Sequence, residues 1–156
     1  MKLGYIGLGN QGAPMAKRLA DWPDGLIVFD VRTEAMTPLA ELGAQLADSV
    51  ADVAKADVIS VTVLNDAQVR EVVGQLGEHA APGTVIAIHS TIEPGTAPEL
   101  AEQLASKGIH IVDAPVSGGA GAADKGELAV MVGASEEAYA SVKPVFKKWA
   151  SLVVRA

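Results

Sequence analysis

Gly7-Leu8-Gly9-Asn10-Gln11-Gly12 reads G-x-G-x-x-G. Alone, that pattern is weak. Here the apolar run Leu3–Ile6 leads straight into it and a helical stretch, Ala13–Ala20, follows. Asp30 then closes the next apolar run, 18 residues after Gly12. A strand, a glycine turn, a helix and an acidic residue ending the second strand together predict a dinucleotide site. Each glycine has its own task. Gly7 permits a tight turn, Gly9 lets the backbone approach a pyrophosphate, and Gly12 lets the helix pack on the strand. Free N–H groups and the helix dipole at that point favour phosphate. The plainer alternative is a turn that only joins a strand to a helix.

Asp30 stands where a carboxylate accepts hydrogen bonds from the ribose 2′-OH. The same charge repels a 2′-phosphate, which favours NAD over NADP. Arg32 pulls the other way, because a nearby arginine can take that phosphate. Val31 lies between them, and the cofactor-binding stretch includes all three.

Outward from this turn, short apolar runs alternate with helix punctuation. The runs are Leu3–Ile6, Leu26–Phe29, Val58–Leu64, Val85–Ile88, Ile109–Val112, Leu128–Val132 and Leu152–Val154. Their continuous apolar character predicts strands buried on both faces of a parallel sheet. Ser49 with Asp52 resembles a capping box. Asp66 is a cap for a helix running to Leu76, with Gly77 ending it. Thr96 starts a helix that Gly108 stops, and Ser135 starts one reaching Lys148 with Pro144 inside. The fold predicted is α/β: a doubly wound Rossmann-type, mostly parallel sheet with helices on both faces. Residues 1–156 form one such domain. Ser117-Gly118-Gly119-Ala120-Gly121, between two strands, reads as a functional loop. Its hydroxyl and close-approach N–H groups suit a carboxylate.

The chain has 156 residues, of which 49% are hydrophobic and 20% charged, enough for a core without staples. Twelve Lys and Arg against 19 Asp and Glu give a net charge of −7. That balance argues against nucleic acid or an anionic membrane as partner. With no cysteine, thiol nucleophiles and Cys-based metal or iron–sulfur sites are excluded. Three histidines make a multi-histidine metal site unexpected, so no metal ligand is assigned. No apolar run reaches the roughly 18 residues of a membrane span, and the amino terminus is unlike a signal peptide. A cytoplasmic protein is expected.

Several stretches taken together resemble the β-hydroxyacid dehydrogenases, a family that includes 3-hydroxyisobutyrate dehydrogenase and, more distantly, 6-phosphogluconate dehydrogenase. The likeness begins at Gly7 through Ala16, with Gln11 where the family usually has Met. It continues at Val61-Thr62-Val63-Leu64-Asn65, where Asn65 replaces the usual Pro. Ser90-Thr91 with Pro94, then Asp113-Ala114-Pro115-Val116-Ser117-Gly118-Gly119, Gly126-Glu127-Leu128 and Met131-Val132-Gly133 follow in the family's order. The resemblance implies that Leu64, Asn65, Val69 and Thr91 border the cofactor. It implies that Ser117, Gly118 and Gly119 hold the substrate's carboxylate and hydroxyl region. It also implies a homo-oligomer and a helical second domain.

Oxidation of an alcohol by hydride transfer needs a group that takes the hydroxyl proton. In the family this is a lysine on a helix after the Rossmann domain, so it is expected beyond Ala156. None of the lysines at 2, 17, 55, 107, 125, 143, 147 and 148 has that context. Lys125 is the one tempting substitute and reads as solvated. His79 reads as solvated, His110 as structural, His89 as structural or near the cofactor, and Trp22 and Trp149 as packing residues. Two readings follow. The first is the NAD-binding half of an oxidoreductase that interconverts a 3-hydroxy acid and its semialdehyde. The second is a non-catalytic dinucleotide-binding or scaffold module.

Overall fold

In the computed structural model, which describes Met1–Ala156, six strands form a parallel sheet. They are β1 (Leu3–Ile6), β2 (Leu26–Phe29), β3 (Gln45–Leu46), β4 (Val58–Val61), β5 (Val85–Ile88) and β6 (His110–Asp113). Their spatial order is β3-β2-β1-β4-β5-β6. This is the doubly wound order of dinucleotide-binding folds, and the direction of winding reverses between β1 and β4. Ile6 pairs with Phe29 on one side and Val61 on the other, so the three central strands end level. The loops that leave those ends share one rim.

Seven helices cover the strands: α1 (Gly12–Lys17), α2 (Thr33–Glu41), α3 (Val50–Val53), α4 (Asp66–His79), α5 (Thr96–Ala105), α6 (Gly119–Lys125) and α7 (Glu136–Phe146). Alternate strand residues feed two cores. Leu3, Tyr5, Val28, Val85 and Val112 join one with Met15 of α1 and Val142 and Phe146 of α7. Ile6, Ile27, Val61, Ile86 and Ile88 join the other with residues of α3, α4 and α5. The helices bury stripes at the α-helical period, such as Val69, Val73, Leu76 and Gly77 in α4. Truncating Leu76 to Ala would cost about 2–5 kcal/mol, by lost transfer energy and a residual cavity. No helix is long and apolar enough to cross a membrane.

The last strands depart from the single sheet expected. β7 (Val116–Ser117), β8 (Leu128–Val132) and β9 (Ala150–Arg155) form a separate three-stranded sheet. β7 runs antiparallel to β8, and β8 parallel to β9. Asp113 and Gly133 exchange two backbone hydrogen bonds, of 3.0 and 2.7 Å, which tie this sheet to β6. The face of β8 and β9 carrying Met131, Leu152 and Val154 is exposed.

Local departures have local causes. Ser117–Gly121 is not an open loop, because Ser117 ends β7, Gly118 turns the chain at φ +133°, and Gly119 begins α6. Gly77 does not end α4, which runs on to His79 with Gly77 buried against Leu104. The α4 cap is Asn65, whose side chain accepts from the Gln68 N–H, and Asp66 is the first helical residue. Ser49 makes no side-chain cap bond, while Asp52 reaches back to the Asp48 N–H at 3.0 Å. Ser135 does cap α7, accepting from the Ala138 N–H. The β4 run stops at Val61, short of the expected Leu64. Beyond Lys17 the expected helix tightens into bonds between residues three apart, such as Leu19 N–H to Ala16. α2 and β3 had no counterpart among the expected elements.

Candidate dinucleotide site

A cleft of about 800 Å³ opens at the carboxyl ends of β1, β2 and β4, where the winding reverses. Open α/β sheets bind ligands at that point. The size suits a large ligand, since cofactor and drug sites span roughly 300–1,000 Å³. Gly7, Gly9, Asn10, Gln11 and Gly12 form its floor. Asp30, Val31 and Arg32 line one wall, and Thr62, Val63 and Leu64 line the opposite one.

The three glycines are required for different reasons. Gly7 has φ +98°, and a Cβ there would lie 1.8 Å from the Thr62 carbonyl oxygen. A Cβ on Gly12 would lie 2.0 Å from the Gly7 oxygen. A side chain at either place would force the backbone around it to move. Gly9 is different: a Cβ there would meet nothing within 4 Å, and its φ is not positive. No feature of the protein itself excludes a side chain at Gly9; only a ligand in the cleft would. Around it, the N–H groups of Gly9, Asn10 and Gln11 make no hydrogen bond within the protein. Three unpaired donors on the cleft floor suit an anion with several oxygens.

Asp30 is buried, at 8% exposure, and both its oxygens are engaged. Oδ2 accepts from the Leu8 N–H at 2.8 Å. Oδ1 accepts from the Arg32 N–H at 2.8 Å and from Arg32 Nε at 3.3 Å. Burial opposes its ionisation, but the two backbone donors and the guanidinium outweigh this and hold the carboxyl below its usual range. Asp30 is therefore an anion at neutral pH with acceptor capacity to spare. Leu8 contributes through its backbone alone, since its side chain packs in the core. Arg32 is exposed but engaged by Asp30.

On the other wall, Ser90 clamps Val63: its Oγ accepts from the Val63 N–H and donates to the Val63 oxygen, both at 2.8 Å. Leu64, 86% exposed, borders the cleft beyond it, as Val31, 88% exposed, does on the Asp30 side. Asn65 does not line the cleft; it caps α4. Val69 is fully buried in the core. The α4 residues on the cleft are Gln68, Glu71, Val72 and Gln75. They recur at the helical period beside the buried stripe, so periodicity was the signal that could have found them. Thr62, also unforeseen, is held by the Tyr5 hydroxyl at 2.8 Å.

Thr91 is exposed on the β5–α5 loop, outside the cleft lining. Ser117, Gly118 and Gly119 are exposed where β7 turns into α6, also outside it. Lys125 is exposed at the end of α6, and no lysine lines the cleft. His89 is buried among Phe146, Trp149 and Tyr5. Its Nδ1 lies 2.8 Å from the Ala114 oxygen, an acceptor, so Nδ1 carries the proton and Nε2 accepts from Ser60 Oγ at 3.0 Å. Burial pushes its pKa down to about 4, the Ala114 bond opposing. This histidine is a neutral structural tie between β4, β5 and the chain after β6.

Residues 2–156 match the family described as the NAD binding domain of 6-phosphogluconate dehydrogenase. The chain belongs to that family. An uncharacterized oxidoreductase of Mycobacterium tuberculosis (strain ATCC 25618 / H37Rv) is 65% identical over 158 residues, which cover 99% of this chain and 54% of that protein. The mitochondrial 3-hydroxyisobutyrate dehydrogenase of Mus musculus is 39% identical over 157 residues, covering 97% of this chain and 47% of its own length. A solved structure of Mycobacterium tuberculosis 3-hydroxyisobutyrate dehydrogenase with L-serine superposes with a TM-score of 0.93. It is 31% identical and covers 99% of this chain and 53% of that one. The NAD-binding domain thus spans about half the length of the curated relatives it matches.

Proposed function

We propose that this domain binds NAD, in preference to NADP, as the cofactor half of an oxidoreductase that interconverts a 3-hydroxy acid and its semialdehyde. The observation that carries the reading is Gly9: neither its backbone angles nor its neighbours require a glycine, yet it borders three unpaired N–H groups on the floor of a cleft at the winding reversal. The bound nicotinamide would supply hydride transfer, and the protein would supply orientation and electrostatics. The N–H groups of Gly9, Asn10 and Gln11 hold the pyrophosphate. Asp30 accepts from the ribose hydroxyls. Asp48 and Glu71 add negative charge to the same cleft, and Arg32 is drawn to Asp30, so a 2′-phosphate meets mostly repulsion. Val31 and Leu64 offer apolar surface from opposite walls to a planar ring.

The substrate class rests on the names of the relatives and on the Ser117-Gly118-Gly119 stretch, whose hydroxyl and N–H groups suit a carboxylate. The proton-transferring group comes from outside residues 1–156, in a helical domain that covers the exposed face of Met131, Leu152 and Val154. The holoprotein is a cytoplasmic homo-oligomer in this reading. Because no lysine lines the cleft, the second reading is a dinucleotide-binding module without catalysis. Titration of NADH and NADPH into the chain tests the cofactor, with tighter NADH binding expected; equal affinities would reject the role of Asp30. Assay of a longer product of the same gene with 3-hydroxyisobutyrate separates the enzyme from the module.

A further inference from the structure

The loops that leave β4 and β5 are tied together twice. At the strand ends, Ser90 Oγ holds the Val63 backbone by two hydrogen bonds of 2.8 Å. At the helix starts, Asp66 Oδ1 accepts from the Glu93 N–H at 3.1 Å and from the Thr96 hydroxyl at 2.5 Å. Arg70, one turn along α4, completes the second tie. Its Nε donates to Asp66 Oδ2 at 2.9 Å, and its Nη2 donates to Glu99 at 2.9 Å and to Thr96 Oγ1 at 3.3 Å. Thr96 is fully buried. Only Thr91 and Ile92 lie between the anchored residues Ser90 and Glu93. A chain spans at most about 3.6 Å per residue, so two residues between fixed ends have little freedom.

We infer that the Asp66–Arg70–Thr96 cluster is a positioning device that holds Thr91 and Ile92 at the end of the site where the nicotinamide must lie. The inference rests on the dinucleotide reading. The pyrophosphate floor belongs to β1 and α1, and the ribose carboxylate to the end of β2. The part of a dinucleotide beyond the pyrophosphate is left the rim above β4 and β5, and this cluster is what orders it. Exposed ion pairs contribute little to stability, and Arg70 and Glu99 are both partly exposed. The cluster therefore matters through geometry. Asp66 is the one acceptor of the Glu93 N–H, and Thr96 and Arg70 aim its carboxylate.

The test compares NAD⁺ with ADP-ribose, which lacks the nicotinamide, on the parent chain and on Asp66→Ala, Arg70→Met and Thr96→Val, with Thr96→Ser as the conservative control. If losing an anchor leaves the competent loop about one-tenth populated, apparent NAD⁺ affinity falls about tenfold. ADP-ribose affinity should fall by clearly less than NAD⁺ affinity, because beyond the pyrophosphate it keeps only the ribose and lacks the ring that the ordered loop would meet. Amide exchange at Glu93, whose N–H Asp66 holds, should accelerate in the three disruptive variants and not in Thr96→Ser. Equal losses for both ligands, or unchanged exchange at Glu93, would reduce the cluster to an α4–α5 staple and overturn the proposal. Arg70→Met keeps the test open if Asp66→Ala does not fold. A parent chain that bound neither ligand would overturn the dinucleotide reading, and the inference with it.

Discussion

Replacing the three glycines of the turn one at a time should separate what the fold demands from what a ligand demands. Gly9→Ala places a methyl group in open space, at a backbone conformation without positive φ. Such a change stabilises by about 0.4–1 kcal/mol, because the unfolded chain loses freedom. Gly7→Ala meets two penalties. An L-residue in the left-handed region costs about 1–2 kcal/mol, and a methyl group 1.8 Å from the Thr62 oxygen cannot be accommodated without moving β4. Adding an overpacking cost of about 1–3 kcal/mol brings the total to about 2–5 kcal/mol. For a domain of this length each kcal/mol moves the unfolding midpoint by about 2–4 °C. Gly7→Ala should thus melt about 4–20 °C below the parent, whereas Gly9→Ala should melt with it or slightly above. Binding should sort the variants differently. Gly9→Val fills the space the pyrophosphate would occupy and denies it at least two of the three free N–H donors. Hydrogen bonds to a charged group are worth about 1.5–3 kcal/mol each, so affinity for NADH falls by about 10²–10⁴. Thermal unfolding followed by circular dichroism, with NADH titration on the same samples, reads both quantities. A Gly9→Val chain that folds normally and binds NADH like the parent would refute the reasoning.

Three further outcomes are expected. Asp30→Ala should weaken NADH binding by about 10- to 150-fold, the loss of one charge-assisted hydrogen bond, and narrow the gap to NADPH in parallel titrations; a preserved preference would point to Glu71 or Asp48 instead. His89 has a pKa near 4 in the folded chain against 6.5 in the unfolded one, so the unfolded state binds more protons between those values. Stability is then full above about pH 6.5 and drops as the pH falls toward 4, by about 3 kcal/mol in total; urea unfolding that shows no such slope, or the same slope in His89→Gln, would contradict the buried neutral imidazole. The 156-residue chain alone should self-associate through the face of Met131, Leu152 and Val154 and should not reduce NAD⁺ with 3-hydroxyisobutyrate; a clean monomer on sedimentation, or robust turnover, would count against the proposed covering domain.

The fold was legible because its signals are local. Continuous apolar runs such as Val85–Ile88, bounded by turn residues, suit strands buried on both faces, and the glycine turn after the first of them points to a doubly wound sheet. What was missed depends on partners far along the chain or on weak local pattern. β3 has two exposed residues and exists only because Ile27 and Val28 offer it a ladder. Gly77 was expected to break α4, but Leu104 packs where its side chain would be, and burial outweighs a glycine's low helix propensity. β8 and β9 looked like further strands of one sheet. Nothing local states that β7 pairs antiparallel and pulls them into a second one.

The site divides the same way. The floor and the Asp30 wall could be read because they form a single physical unit. The Asp30 Oδ2 bond to the Leu8 N–H fixes the turn against the end of β2, while Oδ1 remains at the cleft beside Arg32. A glycine turn without the acidic residue lacks that tie, which is why the two signals together say more than either does alone. The β4–β5 wall had no comparable signature. Its ties join Val63 to Ser90, 27 residues apart, and Asp66 to Thr96, 30 apart. Hydroxyls and carboxylates at such separations look like ordinary surface residues until the strands place them side by side. Asn65 shows the consequence. Where related chains were expected to have proline, the asparagine side chain caps α4, and Gln68 returns the bond by accepting from the Leu64 N–H at 2.8 Å. A proline would fix one backbone angle; this pair fixes the entry to the helix by two hydrogen bonds instead. Leu64 is thereby held at the cleft by its own backbone, although its side chain is almost wholly exposed.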